Sequence, residues 1–305
     1  MRWDSAQEVG VFVRGLAFLL WVHRLFGRWP FRAAACPVVF WFYAFNPARR
    51  RASREFLSRA LKRPAGPLDC FRHFFSFAEA VLDKLIAWHQ GFGLSDVEFH
   101  GLEEIEKILS AGRGCVLLGS HLGNLEIGRV LSKLRPGLEL HVLTHTRHAE
   151  NFNRIIKQID PSSQVNLHQV AELDAGMAAW LSQRVDRGAV IVMAGDRVPI
   201  GAGTRVGAAS FLGVDADFPQ GPYILAAALG CPVLLVFCLR RPAGPKSFDV
   251  YYEPFAGRIA LPRAGREAAL QALVARYAAR LERYCALAPY QWFNLYPFWR
   301  DSVRG

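Results

Sequence analysis

The chain has 305 residues, of which 52% are apolar and 21% are charged, and it carries a formal net charge of +11. A chain this long and apolar can bury a sizeable core, which excludes a disordered protein and predicts one large domain with a smaller appendage. The positive charge favours an anionic partner such as lipid headgroups, an acidic carrier protein or nucleic acid. The six cysteines form no C-x-x-C pair, so we expect buried free thiols rather than a disulfide framework or a metal cage.

The first 92 residues are predicted to be helical and contain two apolar segments, Val9–Phe26 and Ala33–Phe45. Charges interrupt the first segment, and the second is short and contains Pro37, so we expect neither to span a membrane or to be a cleaved signal peptide. Many aromatic residues lie beside basic ones such as "ARRRASR" at 48–54, a composition that suits a membrane surface. The sequence therefore predicts a membrane-associated helical region over residues 1–92. The alternative is two buried helices of a globular domain with a solvated basic turn.

From residue 93 onwards, predicted strands alternate with predicted helices. The runs "AVIVMAG" and "PVLLVFCLR" are continuously apolar, as in strands that are covered on both faces. This order predicts an α/β domain over residues 93–305, with a mostly parallel central sheet flanked by helices. Ligands of such sheets bind beyond the carboxyl ends of the strands. The predicted strands are "VEFHG", "GCVLLGS", "LELHVLTH", "SQVNLHQ", "AVIVMAG", "PVLLVFCLR" and, at an edge, "FDVYYEPF"; the predicted helices include "LGNLEIGRVLSKL" and the closing "AGREAALQALVARYAARLERYCALAP".

The stretch "GCVLLGSHLGNLEIGRVL" places His121 where a buried strand ends and Glu126 at the start of a helix. Within one helix the two side chains would point about 140° apart, so they meet only if His121 precedes the first turn. We then expect Glu126 to accept the ring N–H and to leave the other ring nitrogen as a general base. The backbone amides of Gly123, Asn124 and Leu125, free at the helix start, would bind substrate and stabilise an oxyanion. This arrangement predicts a site for acyl transfer.

Two alternatives to a general-base role for His121 remain open. Ser120 could be a nucleophile, but "GSHLG" has histidine rather than serine at the centre of the pattern, unlike a nucleophile elbow. His121 could also be a satisfied core histidine. The coincidence of a strand end, glycines and a carboxylate favours the functional interpretation, although the H-x4-D/E spacing alone is weak.

Other polar residues follow predicted strands and are further candidates. Arg147 in "THTRHAENFN" is predicted to bind a substrate phosphate, with a surface arginine at a helix start as the alternative. His145 and His148 beside it, like His141, lack a carboxylate or cysteine frame, so no metal site is predicted.

Asp196 and Arg197 follow the strand "AVIVMA", where we expect residues that contact substrate, and an internal ion pair is the alternative. Arg205, in the loop "GAGTRV", is a third candidate for binding substrate phosphate. The segment "YQWFNLYPFW" is predicted to form an aromatic belt against a membrane or another part of the chain, and pure core packing is the equal alternative.

The box "SHLGNLEIG", preceded by the strand "GRGCVLL", resembles the H-x4-D/E box of the bacterial lipid A biosynthesis acyltransferase family, part of the wider lysophospholipid acyltransferase superfamily. The segments "RGLAFLLWVHRLFGRW", "ARRRASREFLSRAL" and "FRHFFSFAEAVLDKL" are similar to the amino-terminal region of the family. The segments "GDRVP", "SFLGVDADFPQGPYILAAALGCPVLLVF" and "PYQWFNLYPFW" are similar to its later blocks. The resemblance covers nearly the whole chain.

The resemblance implies an enzyme on the cytoplasmic face of the bacterial inner membrane, with His121 as its base and Glu126 as the acid partner of that base. It implies the transfer of a fatty acyl chain from acyl carrier protein, or from coenzyme A, to a hydroxyl of a lipid acceptor, without a cofactor. The chain reads "FPQGP" where the glycerolipid branch has F-P-E-G-x-R, which favours a lipid A-like acceptor over lysophosphatidate. The alternatives are a non-catalytic lipid-binding protein that keeps the fold and a nucleic-acid binder, which no recognition motif supports.

Overall fold

The computed structural model describes residues 21–22, 25–88, 92–144, 165–170, 173–198, 204–243 and 246–300. The first apolar segment of the sequence, Val9–Phe26, therefore lies mostly outside the described residues, and so does the predicted helix in "AENFNRIIKQI".

Three helices precede the sheet: α1 (Trp29–Phe45), α2 (Pro47–Ala60) and α3 (Pro67–Trp88). Proline lies at the first or second position of α1 and α2, where its fixed φ angle suits a helix and its missing N–H costs no hydrogen bond. Helix α1 runs through the predicted segment Ala33–Phe45 and contains Pro37 in its interior. It packs against α3, as in the edge-on contact of Tyr43 with Phe74 at a ring separation of 5.5 Å. Among the described residues, no helix is both long enough and apolar enough to cross a bilayer.

The predicted mostly parallel sheet is confirmed. Seven strands follow the order β1-β9-β8-β2-β5-β3-β4, and the five from β8 to β4 are mutually parallel. Strand β9 runs antiparallel to β8 and has β1 on its other side, so β9 is not the edge strand that the sequence predicted. The strands of this sheet are β1 (Val97–His100), β2 (Cys115–Gly119), β3 (Leu140–Thr144), β4 (Val165–Gln169), β5 (Val190–Ala194), β8 (Val233–Arg240) and β9 (Phe248–Ala256).

Both faces of the sheet are covered. The side chains of β2 alternate, so that Val116 and Leu118 join the core on one face and Cys115 and Leu117 join the core on the other. All four are almost fully buried, which is why this strand has no polar position. The covering helices are α4 (Leu102–Ser110), α5 (Leu131–Leu134), α6 (Ala175–Val185), α7 (Gly221–Leu229) and α8 (Arg266–Leu287).

Two local features differ from the sequence prediction. The segment predicted as one helix, "LGNLEIGRVLSKL", forms a 3₁₀-helix over Leu125–Val130 followed by the single turn of α5. The second feature is a separate hairpin of β6 (Val206–Phe211) and β7 (Val214–Pro219), which packs against α8 and which the periodicity did not predict as strands.

Candidate active site

The candidate site lies at the carboxyl end of two neighbouring strands, β2 and β5. These strands pair in parallel with Gly119 opposite Ala194 as the last residues of each. His121 lies two residues beyond Gly119, and Asp196 lies two residues beyond Ala194. Equal offsets from one register pair bring the two side chains together at the edge where parallel sheets hold their ligands.

His121 and Asp196 form a close hydrogen-bonded pair. The ring Nδ1 of His121 lies 2.8 Å from Oδ1 of Asp196, and the backbone N–H of His121 donates to Oδ2 at 2.9 Å. The carboxylate is fully buried, whereas 39% of the histidine side chain is exposed. Burial by itself would raise the pKa of Asp196, but the charge of His121 and the hydrogen bonds to the carboxylate more than offset this and hold the pKa below its ordinary value.

The hydrogen bonds assign the tautomer of the neutral imidazole. An ionised carboxylate only accepts hydrogen bonds, so the proton of the neutral ring must lie on Nδ1. The other nitrogen, Nε2, then carries the lone pair, on a ring that remains open to solvent. This is the state that a general base requires.

Glu126 does not have the place that the sequence analysis gave it. Asp196, rather than Glu126, accepts the ring N–H of His121. The carboxylate of Glu126 lies 3.3 Å from Nζ of Lys84 on α3, and 24% of its side chain is exposed. The predicted hydrogen bond from the ring of His121 to Glu126 was therefore wrong. Asp196, two residues beyond the end of β5, occupies that position beside the ring. A catalytic role for Glu126 stays a prediction.

The backbone amides that were expected to be free are also occupied. The N–H of Gly123 donates to the carbonyl of Gln291 at 2.8 Å, and that of Asn124 donates to the carbonyl of Cys238 at 2.9 Å. Gly123 has a positive φ of 71°, and a Cβ there would collide with the Cys238 carbonyl. The glycine thus allows the chain after His121 to approach β8 closely. The prediction that Gly123 and Asn124 offer free oxyanion donors was wrong.

The aromatic segment near the carboxyl terminus completes the site, a role that the sequence analysis missed. The indole Nε1–H of Trp292 donates to Oδ2 of Asp196 at 2.9 Å. The backbone N–H of Phe293 donates to the carbonyl of His121 at 3.1 Å. Arg197 donates from Nη2 to the carbonyl of Phe293 at 2.7 Å, so this predicted substrate ligand binds the same segment. The segment is therefore part of the site as well as of the core.

The remaining sequence candidates lie elsewhere. Arg147 falls outside the described residues, so its predicted phosphate contact stays a prediction. Arg205 is exposed just before β6, and its carbonyl accepts the backbone N–H of Gln220 at 2.9 Å. Gln220, the variant position of "FPQGP", is buried and donates to Glu267 at 2.6 Å. Within the described part of the chain, no group of three or more histidine, cysteine or acidic side chains could hold a metal ion.

A charged cluster lies beside the site, around a small cleft whose lining includes Asn124, Asp83 and Arg240. Asp83 on α3 is 1% exposed and accepts hydrogen bonds from two guanidinium groups. Arg28 donates from Nη1 at 2.6 Å, and Arg240 at the end of β8 donates from Nε at 2.6 Å and also from Nη2. This cluster joins the amino-terminal helices to the sheet next to the candidate site.

Comparison with known proteins adds one match. A family model described as bacterial lipid A biosynthesis acyltransferase matches residues 83–301, which contain His121, Asp196 and Trp292. No curated protein matches the chain at a significant level.

Proposed function

Because the chain belongs to the bacterial lipid A biosynthesis acyltransferase family, we propose that it transfers a fatty acyl chain from a thioester to a hydroxyl group of a lipid acceptor. Membership of the family makes it an acyltransferase of lipid biosynthesis. The donor in this proposal is acyl carrier protein, with coenzyme A as the alternative carrier. The acceptor is a lipid A-like lipid or another envelope glycolipid.

The proposed reaction uses His121 as the general base. Its Nε2 removes the proton from the acceptor hydroxyl, and the resulting alkoxide attacks the thioester carbonyl. The tetrahedral intermediate collapses, the C–S bond breaks, and the departing thiolate takes the proton back from Nε2. No covalent acyl-enzyme forms. Asp196 keeps the ring in the required tautomer and stabilises the imidazolium while it exists.

The single observation that carries this proposal is the His121–Asp196 pair at the carboxyl end of β2 and β5. A buried carboxylate that fixes Nδ1–H and leaves Nε2 unprotonated on an exposed ring is suited to proton abstraction. A protein that only bound lipid would gain nothing from this arrangement.

We further propose that the amino-terminal helices lie on the cytoplasmic face of the inner membrane. Trp29, Phe40, Trp41 and Phe45 of α1 are each more than 60% exposed, which is unusual for large rings in water. Exposed arginines lie close by in α2, where they would contact anionic headgroups: Arg49, Arg51 and Arg54. Rings and cations side by side suit the headgroup boundary of a bilayer, and they favour an anionic membrane surface as a partner.

The test is acyl transfer by the purified protein, followed by mass spectrometry of lipids from cells with and without it. The wild-type chain should add one acyl group to a lipid, and the lipid mass would identify the acceptor and the acyl length. His121→Ala should fold and lower the rate by roughly 10³-fold or more. If the lipid change in cells persists in both His121→Ala and Asp196→Asn, the protein acts by binding lipid, and the catalytic proposal is wrong.

A further inference from the structure

The carboxylate of Asp196 has a third hydrogen-bond donor besides the two from His121. The indole Nε1–H of Trp292 lies 2.9 Å from Oδ2, the oxygen that also accepts the backbone N–H of His121. The ring Nδ1–H of His121 binds Oδ1. We propose that Trp292 is a positioning residue, whose indole N–H holds the Asp196 carboxylate in place and limits its attraction for the protonated ring of His121. This inference rests on the proposed function, in which His121 is the base.

The physical reason is competition for the negative charge of one buried carboxylate. Each hydrogen bond to an ionised acceptor in a dry site is strong and draws charge towards its donor. Without the indole donor, more of that charge would be available to stabilise an imidazolium at His121. The ring would then stay protonated to a higher pH, so it could act as a base over a narrower pH range. Consistent with this, the hydrogen bond from Trp292 is one of the contacts that lower the pKa of Asp196.

Trp292 cannot turn its N–H away from Asp196. Its side chain is fully buried and lies against the rings of Phe56 at 4.8 Å and Phe298 at 4.8 Å. Its backbone carbonyl accepts a hydrogen bond from Nε2 of His73 at 2.8 Å. The indole is therefore held on both its side chain and its backbone, as a positioning group must be.

The other ionisable groups around Asp196 keep a constant charge near neutral pH. Tyr223 on α7 and Tyr277 and Cys285 on α8 are fully buried, and burial raises the pKa of each well above its ordinary value, so all three are neutral. Burial also raises the pKa of Tyr296, to about 12, and the guanidinium of Arg197 lies over that ring. A pH effect at this pair therefore reports on the imidazole.

The experiment measures the protonation of His121 without relying on catalysis. Diethyl pyrocarbonate acylates only the neutral imidazole, and peptide mass spectrometry separates His121 from the other histidines. The pH midpoint of its modification is compared in the wild type, Trp292→Phe and Trp292→Tyr. The matched control is Trp299→Phe. Trp299 is equally buried in the same cluster, and its indole N–H donates to the carbonyl of Phe211 at 2.9 Å instead of to Asp196.

We expect the midpoint of His121 to rise by about half a pH unit to one unit in both Trp292 variants and to stay unchanged in Trp299→Phe. The acid limb of the pH–rate profile for acyl transfer should move in the same direction. An unchanged midpoint in Trp292→Phe, or an equal rise in Trp299→Phe, overturns the inference. It is also overturned if neither Trp292 variant folds while Trp299→Phe does, because the bond then serves stability. A shifted midpoint in a protein without acyl transfer would overturn the proposed function alone.

Discussion

His121 and Asp196 are 75 residues apart in the chain, yet Nδ1 of the first lies 2.8 Å from Oδ1 of the second. The pairing of Gly119 with Ala194 accounts for this distance, because each side chain lies two residues beyond its own strand end. The carboxylate is buried and orients the ring, whereas the ring is partly exposed and can contact a substrate.

The first prediction separates the two carboxylates near His121. Asp196→Asn should lower kcat by roughly 10²–10⁴-fold, because an amide neither fixes the Nδ1–H tautomer reliably nor stabilises the imidazolium. Glu126→Gln should lower it by less than about tenfold, since Glu126 ion pairs with Lys84 instead of accepting Nδ1–H. The measurement is the steady-state rate of acyl transfer with each purified variant. A larger loss in Glu126→Gln than in Asp196→Asn would restore Glu126 as the acid partner of His121.

The second prediction concerns acid stability and His73. Burial lowers the pKa of His73 to about 4, while Nε2–H donates to the Trp292 carbonyl and Nδ1 lies 3.0 Å from Oγ of Ser53. The unfolded chain binds a proton at this residue near pH 6.5 and the folded chain does not. Burial of His73 therefore costs no free energy of unfolding well above pH 6.5. The free energy of unfolding should fall by up to about 3 kcal/mol as the pH falls to 4.

Urea denaturation at several pH values checks this in the wild type and in His73→Gln. The variant should be less stable at neutral pH and should lose less stability between pH 6.5 and 4. Burial also lowers the pKa of His141, so some pH dependence persists in both proteins and the difference between them isolates His73. Parallel curves for the two proteins would contradict the prediction. His100→Gln is the control, because 42% of that side chain is exposed.

The third prediction concerns the buried cluster of Asp83 with Arg28 and Arg240. Asp83→Asn removes the negative charge that two guanidinium groups share and leaves them facing each other at a position that is 1% exposed. Breaking such a buried pair typically costs about 3 kcal/mol of unfolding free energy. Urea denaturation at pH 7 measures it. The control is Glu98→Gln, which removes an exposed ion pair with Lys246 and should leave the unfolding free energy nearly unchanged. Equal effects of the two substitutions would show that the cluster contributes no more than a surface pair.

The fourth prediction tests the proposed membrane face of α1. The double variant Trp29→Ser/Trp41→Ser should bind anionic vesicles roughly tenfold more weakly than the wild type, because both rings are exposed and lie beside basic residues. Vesicle flotation at two salt concentrations measures the binding, which should weaken as salt rises. Leu287→Ser, on the exposed face of α8, is the control and should float like the wild type. If the double variant also floats like the wild type, α1 is not the membrane-binding surface.

Much of the fold could be predicted from the sequence because its strongest signals are local. The apolar runs of β2, β5 and β8 identified strands covered on both faces. Two elements lacked such a signal. The β6–β7 hairpin is turned by Leu212 and Gly213, both with positive φ, and leucine is not a residue that predicts such a turn. The helix after His121 is partly 3₁₀, which has nearly the same spacing of apolar residues as an α-helix.

The site was predicted less completely than the fold, for a different physical reason. His121 was identified from its strand end, but the partner of its ring depends on which two strands are neighbours and in what register. Composition and periodicity do not contain that information. The equal distance of His121 and Asp196 from the ends of two apolar runs was the available signal. Nothing local indicated that Trp292, among so many aromatic residues, is the one whose N–H binds Asp196.

The contact of Trp292 with Asp196 has a consequence for protein synthesis. His121 and Asp196 are synthesised well before Trp292. A nascent chain can therefore pair β2 with β5 while Oδ2 of Asp196 still lacks its hydrogen bond from the indole. A premature stop codon or a proteolytic cut shortly before residue 291 would therefore yield a protein that retains both members of the pair but not the segment that holds them. Loss-of-function alleles are then expected to include late truncations that lie far from His121 in the gene.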